Sequence, residues 1–163
     1  MTEALDVINR IDTNVNFLAR ELRPPELDTL GLAAALGRHV REWADRTGVH
    51  ADVNVTRAMR QVPSDVEVMF YRIAQEALNN VARHAQATQV DVVLEDRGES
   101  TVLIIEDNGR GFDPSQQTGS LGLLGMRERA SLVGATLDIE SAAGKGTTIF
   151  LNYPDGHAPP SRT

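Results

Sequence analysis

The sequence has no cysteine, which excludes a disulfide framework and a thiolate metal centre. That composition suits a reducing compartment such as the cytosol. No run of 18 apolar residues occurs, so no segment reads as a membrane-spanning helix. The N-terminal stretch MTEALDVINR lacks the basic start and apolar middle of a secretory signal; a membrane anchor upstream in a longer parent protein stays open. Basic residues are outnumbered, 16 Lys and Arg against 23 Asp and Glu, for a net charge of −7. That balance argues against a diffuse nucleic-acid footprint. An anionic ligand must then be held by local devices: backbone N–H groups, a metal ion or a few arginines. There is no internal repeat. What remains is a chain of 163 residues, 41% hydrophobic and 24% charged, enough for one domain with a real core and a short appendage.

Residues 1–22 carry Ala4, Ile8, Ile11, Val15, Leu18 and Leu22 at alternating spacings of four and three. That heptad pattern predicts a helix packed against partner helices, or an amphipathic helix folded onto its own domain. Pro24-Pro25 ends it. A second helix is expected over 27–47, with Leu30, Ala33, Leu36, Val40 and Trp43 inward and Gly48 as its stop. HADVNVT at 50–56 alternates as a strand. A third helix is expected over 64–85, opened by a capping box of Ser64 and Glu67, with Val66, Phe70, Ile73, Ala77 and Val81 buried. Strands follow at 89–96 and 101–107, joined by a hairpin through Arg97-Gly98-Glu99. Residues 108–120 read as a loop, 121–133 as a short helix, and 135–142 and 147–153 as two more strands. The tail from Pro154 reads as disordered. Helices followed by strands, without strict alternation, predict an α+β two-layer sandwich.

Eight of the thirteen glycines fall between 109 and 146. Each has two readings, a tight turn or backbone held close to phosphate. Asp107 ends the strand VLIIED on the face of Leu103 and Ile105, where a carboxylate is costly unless it accepts hydrogen bonds. It either caps the following loop or accepts the exocyclic amine of adenine, disfavouring guanine. The stretch Gly119–Met126 leads into a helix, so its N–H groups can face phosphate oxygens. Gly144-Lys145-Gly146-Thr147 alone would be only a hairpin turn. In the third helix Glu76, Asn80 and Arg83 share one stripe. The Asn80 amide oxygen suits Mg²⁺, and Glu76 can accept a proton or orient a water. Asn79 competes with Asn80 and is expected to point nearer the core.

Taken in order, Glu76-x-x-x-Asn80, Asp107-x-Gly109-x-Gly111, Gly122-Leu-x-Gly125-Met126 and Gly144-x-Gly146-Thr147 resemble the N, G1, G2 and G3 boxes of the GHKL, or Bergerat-fold, ATPases. EALNNVARHA, GLLGMRERA and LRPPELDTLGL narrow the resemblance to the nitrate-sensor or DesK-like branch of sensor histidine kinases. The resemblance implies a mixed sheet with helices on one face, preceded by a partial dimerisation helix. It implies residues 1–23 as the second helix of a dimerisation domain, 24–154 as the ATP-binding catalytic domain and 155–163 as a tail. It implies ATP and Mg²⁺ as cofactors. Asn80 would bind the metal, Glu76 would act as base or polarise the acceptor, and Asp107 would bind adenine. Gly109, Gly111, Gly122, Leu123, Gly125 and Met126 would shape the pocket and its lid over 113–120. Arg83 and His84 would stand at the rim, and Thr147 would support the adenine.

The family's phosphoacceptor histidine lies on a first dimerisation helix that has no counterpart here. His39, His50, His84 and His157 lack its acidic neighbour and setting. The implied activity is therefore transfer of the γ-phosphoryl group of ATP to a histidine-bearing helix supplied by a missing segment or a partner subunit. Relay to a response regulator would follow. The implied parent is a cytoplasmic homodimer, with an anchor left open. An anti-sigma-factor-like serine kinase of the same superfamily is the alternative, and an ATP-driven clamp a weaker one.

Overall fold

The computed structural model describes residues 23–56, 59–115 and 121–156. The heptad-patterned segment 1–22, residues 116–120 of the expected lid, and the tail from His157 onward lie outside them. In chain order the elements are α1 (Pro25–Thr47), β1 (His50–Thr56), α2 (Ser64–Asn80), a π-helical turn (Val81–Ala85), β2 (Gln89–Asp96), β3 (Ser100–Asp107), α3 (Leu121–Leu132), β4 (Thr136–Ser141) and β5 (Thr147–Pro154). The five strands form one mixed sheet in the order β1-β2-β3-β5-β4. β1 runs parallel to β2 and the other neighbours are antiparallel. The helices pack on one face, as an α+β two-layer sandwich. Among the described residues, no helix is long and apolar enough to cross a membrane.

Register explains where the core ends and the site begins. On the helix-facing side, Leu94, Leu103, Leu151 and Leu137 form one transverse row. Val92, Ile105, Ile149 and Ile139 form the next. Against these rows pack Leu36, Val40 and Trp43 of α1, Phe70, Ile73 and Ala77 of α2, and Met126 and Ala130 of α3. Each fully buried large side chain stabilises the fold by roughly 2 kcal/mol. The third row is Val90, Asp107, Thr147 and Ser141. There the core face turns polar on three adjacent strands.

Three local expectations are corrected. In α1, Leu36, Val40 and Trp43 are buried, but Leu30 is 41% exposed and Leu27 and Leu32 point inward instead. Gly31 adopts φ 75°, ψ 168° inside the helix, so the helical phase restarts there and a stripe drawn through Leu30 is out of register. The capping box is absent. α2 starts at Ser64 after Pro63 with no side-chain cap, and the Ser64 hydroxyl and Glu67 carboxylate both bond the Arg23 guanidinium. A charge-assisted pair outcompetes a neutral cap, and Pro63 has no N–H for Glu67 to reach. Finally, α2 does not run as α-helix to residue 85 but passes into the π turn, closed by Gln86 in left-handed conformation at φ 52°. At the chain's other end Asp155, expected in the tail, donates its backbone N–H to the Glu99 carbonyl and pairs with Arg60.

Candidate nucleotide site

A cleft of about 490 Å³ opens between the end of α2 with its π turn and the polar end of β3 and β5. It is lined by Ala77, Asn80, Val81, His84 and Ala85 on the helical side. Ile105, Asp107, Thr147 and Ile149 line the sheet side, and Arg110, Gly111, Phe112 and Leu123 lie between. Its walls are largely apolar, with a few convergent polar groups, as small-molecule sites are.

Asp107 lies at the sheet end and is only 6% exposed. Burial pushes its carboxyl above the usual carboxylate range, while the backbone N–H groups of Gly109 and Thr147 pull it back by holding the charged form. The Gly109 N–H is 2.8 Å from Oδ1. The carboxylate is thus fixed in direction and still presents acceptor capacity to the cleft.

The glycines around it serve the backbone. A methyl group on Gly109 would collide with the Ala85 carbonyl, one on Gly111 with the Ala142 carbonyl, and one on Gly146 with the Asp107 carbonyl. Gly111 and Gly146 also need positive φ, 59° and 76°. The tight-packing reading therefore accounts for these three. The Arg110 N–H donates to the Ala85 carbonyl and the Gly144 N–H to the Arg110 carbonyl. The loop after β3 is stitched to both the π turn and the β4–β5 turn.

At the helical end Asn80 is half-buried, and Asn79 is exposed, which reverses the expectation that Asn79 faces the core. Among the described residues no hydrogen bond engages the Asn80 amide. The Glu76 carboxylate reaches the start of α3, where its Oε1 is 3.1 Å from a Cβ position on Gly122.

Comparison with known proteins decides the lineage. Residues 65–157 match the family described as histidine kinase-, DNA gyrase B- and HSP90-like ATPases. The chain belongs to that ATPase family. The signal transduction histidine-protein kinase/phosphatase DegS of Brevibacillus brevis is 36% identical over 141 residues, 86% of this chain and 36% of that protein. The oxygen sensor histidine kinase NreB of Staphylococcus carnosus is 35% identical over 91% of this chain and 43% of that protein. The chain thus spans about two fifths of these curated relatives. Among solved structures, the histidine kinase domain of the blue-light activated kinase from Erythrobacter litoralis aligns at a TM-score of 0.60 with 27% identity. That alignment covers 76% of this chain and 60% of the other. The resemblance to this ATPase family read from the four motifs, and to sensor histidine kinases read from EALNNVARHA, GLLGMRERA and LRPPELDTLGL, is borne out.

Within this ATPase fold the residues singled out in sequence divide. Asn80, His84, Asp107, Gly111, Leu123 and Thr147 line the cleft. Glu76, Gly109, Gly122 and Gly125 are not among its lining residues, and Met126 is fully buried in the core. Arg83 is exposed and outside the lining. A π turn rotates less per residue than an α turn, so Arg83 falls away from the side of Asn80 while His84, four residues on, stays there. Sequence reasoning passed over Phe112, Arg110 and Ser141. The strand register of β4 against β5 would have found Ser141, opposite Thr147.

Proposed function

We propose that the cleft binds ATP with Mg²⁺ and presents the γ-phosphoryl group to a histidine on a helix outside this chain, as the catalytic domain of a sensor histidine kinase. The observation that carries the nucleotide reading is Asp107: a buried carboxylate, held by two backbone amides, on the sheet side of an apolar-walled cleft. Such an acceptor receives an exocyclic amine and opposes a ring oxygen. Ile105, Ile149, Val81 and Ala77 supply apolar surface for a flat base.

At the other end the donors fit Mg²⁺. The Asn80 oxygen is uncommitted, and no group of three or more His, Cys, Asp or Glu side chains among the described residues is placed to cage a metal. One hard oxygen ligand, with water and phosphate supplying the rest, is the pattern Mg²⁺ prefers. Bound there, the ion would neutralise phosphate charge. Asn80 would orient it, and Glu76, one helical turn back, would accept a proton or align the acceptor imidazole. Catalysis of this kind rests on positioning more than on covalent chemistry. Arg83 and His84 would serve the rim, and Gly122 and Gly125 the lid.

In this reading residues 1–23 are the second dimerisation helix, 24–154 the catalytic domain and 155–163 a tail. A histidine-bearing helix pairs with the first segment, a response regulator takes the phosphoryl group, and the parent is a cytoplasmic homodimer. The histidine-kinase names of the relatives favour this over the anti-sigma-like serine kinase. Incubation with γ-labelled ATP tests it. The chain alone should stay unlabelled, because none of its histidines has an acceptor's setting. A separately supplied histidine-bearing helix should gain acid-labile label. Acid-labile label on the chain alone, or acid-stable label on a serine of the partner, would overturn the assignment.

A further inference from the structure

Ser141, the last residue of β4, belongs to no motif and does not line the cleft. Its hydroxyl is nonetheless where three cleft-forming segments meet. It lies 2.9 Å from the Phe112 backbone N, 3.0 Å from the Gly146 carbonyl oxygen and 2.9 Å from Thr147 Oγ1. Counting protons assigns every one of these bonds. A hydroxyl has one hydrogen and two lone pairs, an amide N–H only donates and a carbonyl only accepts. Ser141 therefore accepts from Phe112 and donates to Gly146, and its remaining lone pair receives the Thr147 hydroxyl hydrogen. No other arrangement makes all three bonds. Thr147 spends its single hydrogen away from the cleft and turns only lone pairs toward it. Asp107, its neighbour in register, is likewise an acceptor when ionised.

We propose that Ser141 is a positioning residue that sets the hydrogen-bond polarity of the base end: by holding Thr147 as an acceptor and fixing the Phe112 backbone, it makes the cleft select a base edge bearing an amine. The inference rests on the nucleotide reading above and deepens it. An exocyclic amine has two hydrogens and can satisfy Asp107 and Thr147 together, directly or through a water. A ring oxygen in that place faces lone pairs from both. Removing the Ser141 hydroxyl releases the Thr147 hydrogen, which can then turn and donate into the cleft. The Phe112 N–H loses its acceptor at the same time.

The test is calorimetric affinity for ATP and for ITP, which carries oxygen in place of the amine, both with Mg²⁺. The proteins are the full chain, Ser141→Ala, Ser141→Thr, Thr147→Val and the double variant Ser141→Ala/Thr147→Val. Ser141→Ala should lower the ATP-to-ITP preference by about tenfold, the scale of one hydrogen bond, and Ser141→Thr should restore it. On the Thr147→Val background the Ser141→Ala change should leave the preference unmoved, because Ser141 acts through the Thr147 hydroxyl. Amide exchange at Phe112 should accelerate in Ser141→Ala. If Ser141→Ala does not fold, Ser141→Cys, whose thiol is a weak donor and acceptor, carries the same comparison. ATP and ITP weakening by one common factor would overturn the proposal, as would an equal drop in preference on the Thr147→Val background. A wild-type chain that binds neither nucleotide sinks the reading of the cleft and this proposal with it. A wild-type chain that prefers ATP, with the preference unmoved in Ser141→Ala, sinks this proposal alone.

Discussion

At the proposed base end of the cleft Gly109, Gly111 and Gly146 press backbone against backbone, and Asp107, Ser141 and Thr147 are held by hydrogen bonds within the protein, leaving acceptor lone pairs of Asp107 and Thr147 for the cleft. At the proposed phosphate end Glu76, Asn80 and His84 stand on a helix and its π turn, and the Asn80 amide has no partner among the described residues. One end has its framework bonded within the protein and keeps only acceptor lone pairs for a ligand; the other holds the Asn80 amide, free of bonds to the described residues. A satisfied network fixes its shape before binding and confers selectivity, because it cannot rearrange around a wrong base. Unsatisfied groups on a rigid helix accept whatever charge arrives, and their contribution appears only with the ligand present.

The sharpest way to break the contrast is Gly146→Ala. Its Cβ would meet the Asp107 carbonyl, and its φ of 76° is strained for any L side chain. A loss of about 3 kcal/mol or more is expected in chemical denaturation, combining backbone strain with overpacking. Gly144→Ala is the internal control. It has the same φ of 76° with nothing within 4 Å, so only the conformational cost of about 1–2 kcal/mol remains. Equal losses at the two positions would mean that the base end is not held by close backbone contact.

Asp107→Asn separates selectivity from stability. Adenine nucleotides should bind about 10–100-fold more weakly, the effect of one mispaired buried group. The fold should not suffer. Because burial raises the Asp107 carboxyl above its unfolded value, its contribution to stability is fully present below the unfolded pKa of about 4. That contribution is lost as pH rises through the folded pKa. At neutral pH the variant should therefore be at least as stable as the wild type, and the difference should shrink on acidification. Melting curves at pH 4 and pH 7 check the sign; a variant that gains on the wild type as pH falls would contradict it.

At the phosphate end, Asn80→Asp should change the Mg²⁺ dependence of ATP affinity by about tenfold. Asn79→Asp, on the exposed side of the same helix, should leave affinity alone and stay within about 0.5 kcal/mol of wild-type stability. Calorimetry with and without Mg²⁺ distinguishes them, and an Mg²⁺ effect confined to Asn79→Asp would put the helix register wrong.

How far the sequence could be read follows the same division. Strand alternation and turn glycines placed all five strands to within a residue or two, because period-two burial and local turn chemistry are short-range. Asp107 was legible because a carboxylate on an apolar strand face is a local anomaly. Ser141 was not: it looks like any strand-end serine until β4 is paired with β5, a relation between residues joined only by tertiary register. The phase of α1 was lost at Gly31, since a positive φ inside a helix leaves no mark beyond the glycine itself. The capping box failed because Arg23, 41 residues from Ser64, competes for both of its side chains. The α-to-π change after Asn80, which turns Arg83 away from the cleft and leaves His84 on it, has no signal in the periodicity of a 22-residue helical stretch.

Gly125→Ala gives the smallest expected effect and the finest test of the comparison. Gly125 lies inside α3 with nothing within 4 Å of an added Cβ and with no positive φ. Neither packing nor backbone geometry requires glycine there, unlike Gly146. Alanine should stabilise the helix by about 0.5–1 kcal/mol through propensity and chain entropy, seen as a higher melting temperature. If the phosphate end takes its final shape only around a ligand, the reason for glycine appears only then, as close backbone approach to phosphate or freedom at the start of α3. The same variant should accordingly bind ATP less tightly, by about tenfold or less, while melting higher. A stability gain with unchanged affinity would remove Gly125 from the phosphate end and leave that end to the residues of α2 and the π turn.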